Sequence, residues 1–459
     1  MSVEVNKQTS DKNTRIVKDA TCTFCGCVCD DMELTVDLKK MRITEAKNAC
    51  ILGKAWFTEH VIEDRPACLI DGQEVTFDEA VEEAAQTLCN SKFPITYGLS
   101  DTTCEAQRQA VAISDLIKGN IDTTTSVCHG PSGIAFQGVG EPTMTLGEVK
   151  NRADLIIYWG GNPAESHPRH FGRYSITPKG MHIPNGKKDR YVVLVDVRKT
   201  KSAGVANLFI QPKPGKDFEL IWALRALVQG KKVDPEIENT TGVSLDTLEE
   251  LVARMKTCNY GVFFLGMGLT MTRGRHFNSG GIYALTADLN QYTHFVAKPV
   301  RGHGNVTGAD NVVAWQTGYP FGVNYSLGFP RFNPGEFTTV DLLAREEADA
   351  ALIIASDPAS NFPKKAIEHM GKIPIISLDT KLTLTAQLAH VSFATATYGI
   401  NTEGTVYRMD DVPISLRKAF DSPFPSDLEI LTAIRNRVTA LTKGKNNTQR
   451  RGSRKTRQS

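Results

Sequence analysis

The chain has no apolar run approaching the length of a membrane span, so a bilayer-crossing segment is not expected. Its first twenty residues, MSVEVNKQTSDKNTRIVKDA, are polar and of mixed charge. That is not the pattern of an export signal, and a cytoplasmic location is expected. There is little net charge, +2 over 459 residues, but it is unevenly spread. The last 17 residues hold seven Lys or Arg and no acid, which turns +2 into −5 for the rest. This tail, residues 443–459, is expected to be a disordered, solvated segment. It lacks interleaved aromatics for base stacking, so nucleic acid is not expected as a partner. What remains has ordinary globular composition and the length for about two to four domains.

Cysteine is what the chain does have: ten, several of them clustered. Without an export signal, this usage suggests metal chemistry in a reducing compartment. Cys22, Cys25, Cys29 and Cys50 follow the spacing C-x2-C-x3-C-x20-C. Thiolates are soft ligands, and four of them close a sulfur shell around zinc or an iron–sulfur cluster. Structural zinc usually takes two separated C-x2-C knuckles. Here three cysteines crowd one turn and the fourth follows a short excursion, which suits a [4Fe–4S] cluster better. Cys27 lies inside the motif, but Cys29 makes the cleaner spacing.

Two stretches repeat. Ala153-Asp154-LIIYWGGN-Pro163 and Ala348-Asp349-AALIIASD-Pro358 are each an apolar run ending in a turn. Gly161 and Asn162 precede the first proline, and Asp357 precedes the second. Each reads as a buried strand leading into a loop. A further strand follows in each copy. The first carries Asp196, Arg198, Thr200, Ala203 and Ala206; the second carries Asp379, Lys381, Thr383, Ala386 and Ala389, at the same offsets. In a doubly wound α/β sheet such a strand end faces the ligand crevice. An acid there can bind a ribose hydroxyl or a guanine amino edge. The alternative is a helix-capping aspartate. Two matched copies favour two related α/β units, each holding half of a pseudo-symmetric cofactor.

Other segments alternate strand and helix. FDEAVEEAAQTLCN (77–90) reads as a helix, and FELIWALRALVQG as a helix closed by Gly230. Gly266 and Gly268 follow an apolar strand, a weak phosphate signal that is equally a plain turn. Gly215 and Asp217 precede a helix, where backbone N–H groups suit a phosphate or Asp217 suits a cap. The loop TTTSVCHGPSG presents Cys128 and His129 from a turn fixed by Gly130 and Pro131. Such a cysteine is a nucleophile, a metal ligand or a packed thiol. Arg301, with His303, sits in a glycine-rich turn and reads as a fixed cation for an anionic substrate. His167, Arg169 and His170 read as phosphate- or subunit-contacting residues.

Together these motifs mark a resemblance. CTFCGCVCDD, SVCHGPS, TLGEVKNRAD, YWGGNPAESHPRH, FFLGMGLTMTRG, RGHGNVTG, WQTGYPFGVNYSLG and EGTVYRMD resemble the B subunits of formylmethanofuran dehydrogenases, within the molybdopterin oxidoreductases. The resemblance runs from about Cys22 to about Arg417. It implies molybdenum or tungsten held by two molybdopterin guanine dinucleotides, one per α/β unit, and a [4Fe–4S] cluster on Cys22, Cys25, Cys29 and Cys50. Cys128 matches the metal-ligating cysteine, and His129 and Arg301 match residues lining the substrate side. Lys54 is a candidate bridge between cluster and pterin. The implied fold is α/β. It has an iron–sulfur domain (1–60), a discontinuous dinucleotide-binding domain (61–135 with 301–425) and a second such domain (136–300), without the C-terminal β-barrel of larger relatives. The implied substrate is CO2 or formate. The implied partners are a β-barrel pterin-domain subunit, an amidohydrolase-like subunit that condenses formate with methanofuran, and further iron–sulfur subunits.

A competing expectation comes from the bacterial formyltransferase/hydrolase complex, whose B subunit resembles this chain but serves as a non-redox scaffold. A scaffold has no need of four spaced thiolates plus Cys128, His129 and Arg301. A stand-alone formate dehydrogenase would be larger, and a zinc-binding interaction module leaves the repeat unexplained.

Overall fold

The computed structural model describes residues 13–455. Residues 1–12, part of the expected 1–60 unit, and 456–459 of the basic tail lie outside the described residues. The architecture is mixed α/β. A three-stranded antiparallel sheet, Thr14–Ala20, Met32–Asp37 and Arg42–Lys47, carries the first cysteines in the loop between its first two strands. The short helix Ile51–Thr58 follows, with Cys50 as its cap.

Two larger sheets make up the body. The first is wholly parallel, in the order Leu208–Ile210, Tyr191–Val195, Leu155–Trp159, Tyr260–Leu265, His294–Pro299. The second has a five-stranded parallel centre, in the order Val391–Ala394, Ile375–Asp379, Ala350–Ile354, Pro94–Gly98, Asn120–Thr123. Short antiparallel strands flank it on both edges. The near-continuous burial of these strands is what helices on both faces demand.

The repeated segments occupy equivalent places in the two sheets, as paired neighbouring strands. The sheets differ in connectivity. In the first the chain threads Leu155–Trp159 before Tyr260–Leu265; in the second, Pro94–Gly98 precedes Ala350–Ile354. The second unit is therefore a circular permutation of the first. Matching hydrogen bonds support the equivalence. Asp154 accepts from the N–H of Asn259 and Tyr260, and Asp349 from the N–H of Lys92 and Phe93, each joining the two central strands.

The helix expected over 77–90 spans Phe77–Asn90, with a capping box between Thr76 and Glu79. The tail departs from expectation. The last helix runs Asp427–Lys455, so much of the segment expected to be disordered is helical in its backbone. Ile430, Leu431, Ile434 and Val438 anchor its first half in the core, and a helix once nucleated propagates at little cost. Among the described residues no helix is long and apolar enough to cross a membrane.

Candidate active site

The N-terminal cysteines converge. Cys22, Cys25, Cys27, Cys29 and Cys50 line one small cavity with Met32, Gly53 and Arg169. The Cys22 N–H donates to Cys29 O at 2.8 Å, closing the loop on itself. The Gly53 N–H points at Cys50 Sγ from 3.4 Å, as a helix N-terminus would meet a thiolate. Cys27, set aside on spacing, is buried in the same cavity and hydrogen-bonds to Cys25 and Cys29. Spacing cannot reveal this, because Cys27 and Cys29 both fall inside the tight turn. The Cys27 hydrogen bond brings Cys29 down to about 6 against its burial, helped by Arg169 and Arg173. Burial pushes the Cys22 thiol well up. Among the described residues no three His, Cys, Asp or Glu side chains grip a single ion. Five thiols around one cavity are a soft donor set, whose chemistry fits a thiolate-ligated metal group.

This loop lies directly against the loop that carries Arg301. The Gly26 N–H donates to Gly302 O at 3.2 Å, and Cys25 pairs with His303 as an antiparallel bridge. A Cβ on Gly26 would collide with the Arg301 carbonyl, and one on Gly304 with the Thr23 carbonyl. The two glycines permit this backbone approach. His167, expected at a phosphate, instead fastens the same loop. Its Nε2 donates to Arg301 O at 2.7 Å, and its Nδ1 meets Ser166 Oγ at 2.7 Å. Burial lowers it to about 4, so it is neutral.

A cavity of about 1160 Å³ opens beside Cys128. Cys128, Trp56, Asp101, His303, Asp379 and Asp427 are among its walls. It lies outside the carboxyl ends of the second sheet's parallel strands: Asp101, Thr124, Ser356, Thr380 and Thr395 each follow one of the five. The centre of the cavity thus coincides with the switch point between Pro94–Gly98 and Ala350–Ile354, where doubly wound sheets bind ligands. Met267 and Met271, from the first sheet's switch loop, close the other side.

Cys128 ends a short turn, its N–H donating to Thr125 O at 3.0 Å. Burial pushes its thiol up to about 11, opposed by Arg301. His129 lies behind it, fully buried, with Nε2 donating to Val300 O at 3.1 Å. Its Nδ1 has no partner among the described residues, and burial lowers it to about 3. The neutral ring therefore keeps a free acceptor nitrogen beside Cys128. Arg301 corrects the expectation of a free cation. Its Nη2 donates to Thr125 Oγ1 at 2.6 Å and to the carboxylate of Asp310. Neither Arg301 nor His129 is among the cavity's walls. A guanidinium this buried needs a counter-charge, and sequence spacing gave no hint of which acid supplies it.

The paired acids behave alike in both sheets. Asp196 and Asp379 each accept the N–H two residues on, from Arg198 and Lys381. Each sits near a second aspartate that begins a helix, Asp217 in the first unit and Asp427 in the second. Burial raises all four, Asp379 to about 7 and Asp427 to about 6. Asp217 accepts from Trp159 Nε1 at 2.8 Å, and Asp427 from Thr102 Oγ1 at 2.6 Å. One carboxylate oxygen of each is buried without a partner among the described residues. Such oxygens suit base N–H donors. Sequence reading missed Asp427, although DLEILTAIR from Asp427 matches DFELIWALR from Asp217 in its Asp, Glu, Ala and Arg.

Several candidates do other work. Asn162 and Asp357 are equivalent, and Asp357 is also among the cavity's walls. Asn162 accepts from Ser202 Oγ at 2.7 Å and Asp357 from Thr385 Oγ1 at 2.6 Å, fixing their own loops. Gly266 and Gly268 lack side chains because the Gly160–Gly161 backbone passes against them. Gly161 lies in that contact, and Gly215 turns the chain into the helix Asp217–Val228 at φ +73°. Arg198 is exposed, and the Thr200 hydroxyl is buried without a partner among the described residues. Lys54 is exposed, outside the cavity that Trp56 reaches; two residues along a helix turn a side chain about 200° away.

No protein-family model matches the chain. It is 43% identical over 438 residues to the B subunit of the tungsten-containing formylmethanofuran dehydrogenase 2 of Methanocaldococcus jannaschii, covering 93% of this chain and 99% of that one. In fold it is similar to a chain of the formyltransferase/hydrolase complex of Methylorubrum extorquens, with a TM-score of 0.66, 22% identity and coverage of 82% and 99%. It is also similar to the acetylene hydratase of Pelobacter acetylenicus, with a TM-score of 0.68, 12% identity and coverage of 92% and 69%. The near full-length identity to the first of these places the chain by sequence as well as by fold: it belongs to the family of formylmethanofuran dehydrogenase B subunits.

Proposed function

We propose that this chain is the redox subunit of a cytoplasmic formylmethanofuran dehydrogenase that interconverts CO2 and formate. The observation that carries the reading is the juxtaposition of the five-cysteine cavity with the Cys128 cavity, through the Cys25–His303 bridge and Trp56. Cys22, Cys25, Cys29 and Cys50 would hold a [4Fe–4S] cluster, with Cys27 beside it. Cys128 would ligate molybdenum or tungsten, which with two molybdopterin guanine dinucleotides supplies two-electron chemistry at carbon. Asp379 with Asp427, and Asp196 with Asp217, would each read one guanine edge.

The chain's own groups then have distinct tasks. His129, buried behind Cys128, fixes the strand end before Arg301 by donating from Nε2 to Val300 O. The Arg301 guanidinium, locked by Thr125 and Asp310, gives a fixed field where charge grows on the CO2 oxygens. Met267, Met271 and Trp56 give the cavity part of its apolar wall. A β-barrel subunit would close the cavity. An amidohydrolase-like subunit would condense formate with methanofuran, and iron–sulfur subunits would deliver electrons.

The test is metal analysis with EPR on the complex purified without air, followed by formate oxidation with an artificial acceptor. About four iron and one molybdenum or tungsten per chain, with a reducible cluster signal, are expected. A folded complex with neither would make the chain a non-redox scaffold of the formyltransferase/hydrolase kind, whose fold it shares.

A further inference from the structure

Arg301 is set in place by Asp310, on the helix Val306–Thr317. Their side chains are 10% and 12% exposed. Asp310 also accepts from Thr123 Oγ1 and Thr125 Oγ1, both at 2.9 Å. Thr125 is the residue whose carbonyl receives the Cys128 N–H. One carboxylate thus ties the Cys128 turn to the Arg301 loop.

We propose that Asp310 is a positioning residue that cancels the charge of Arg301 where it arises, so that the neighbouring cavity faces the fixed dipole of a buried pair rather than a net cation. This rests on the redox reading above and names a property of the same site. CO2 is neutral and formate is an anion. An uncancelled buried guanidinium would hold formate as a counter-ion and slow its departure toward the partner that consumes it. With Asp310 in place, formate binds weakly while the guanidinium still orients a polar transition state.

The test compares Asp310→Asn with wild type in the assembled, metal-loaded complex. An extra unit charge roughly 10 Å from a bound anion strengthens its binding by about tenfold or somewhat more at an effective dielectric of about 20. The formate KM should fall about tenfold. So should the formate concentration that half-saturates the change in the metal EPR signal. Turnover in the CO2 direction should fall as well. A purely structural role leaves both formate values unchanged or raises them, and either result overturns the proposal. Should Asp310→Asn fail to assemble, Arg301→Gln combined with Asp310→Asn removes both charges. Formate binding about tenfold tighter than in Arg301→Gln alone then supports cancellation, whereas no difference between the two overturns it. A wild-type complex without metal or formate binding overturns the redox reading and this proposal together. A loaded complex in which Asp310→Asn leaves formate binding unchanged overturns this proposal alone.

Discussion

Replacing Asp379 by Asn should remove a pH dependence of stability that the cavity imposes on the chain. Asp379 is buried at a strand end beside Asp427, and burial raises it from 3.8 to about 7. In the unfolded chain it loses its proton near pH 4; in the fold it keeps it to about pH 7. The folded state therefore binds more protons across that window. The stability Asp379 contributes is fully present below about pH 4 and is lost as pH rises through about 7. The full shift corresponds to about 4 kcal/mol, and the part falling between pH 5 and pH 8 to roughly 2–3 kcal/mol. The measurement is urea unfolding of cofactor-free protein at both pH values, followed by tryptophan fluorescence. Wild type should weaken by that amount relative to Asp379→Asn, whose amide does not titrate. Asp427 titrates in both proteins, so the comparison reports Asp379 together with its coupling to Asp427. Parallel pH profiles for the two would refute the reasoning. A guanine nucleotide at pH 8 should narrow the gap by bringing N–H donors to the carboxylate.

Cys128→Ala should abolish formate oxidation while the cluster EPR signal persists, because Cys128 lines a different cavity from the five cysteines. Cys50→Ala should lower the iron content, measured by colorimetric iron assay. Gly304→Ala places a methyl against the Thr23 carbonyl and should cost about 1–3 kcal/mol, read as a lower unfolding midpoint with a broadened cluster signal. Trp159→Phe removes the donor at 2.8 Å from buried Asp217 and should destabilise the chain by about 1–3 kcal/mol in the same unfolding assay.

What the amino-acid sequence determined by itself was local or periodic. Cysteine spacing located the sulfur-lined cavity because ligands in one turn are close in space whatever surrounds them. The paired Ala-Asp-strand-Pro segments fell on equivalent strands because buried parallel strands need continuous apolar runs. The helix Phe77–Asn90 was readable to its ends because its cap is written in Thr76 and Glu79. Tertiary structure alone decided the rest. It brought Pro94–Gly98 beside Ala350–Ile354, some 250 residues apart, and so created the switch point at which the cavity opens. It gave Arg301 its counter-ion, since nothing in a stretch of glycines and polar residues marks which acid will share its burial. It turned Lys54 outward, because a side chain's direction follows from the neighbours it packs against. It also joined Asp427 to Asp379: burial and the neighbouring carboxyl together raise Asp379, and nothing in the sequence marks two acids 48 residues apart as neighbours.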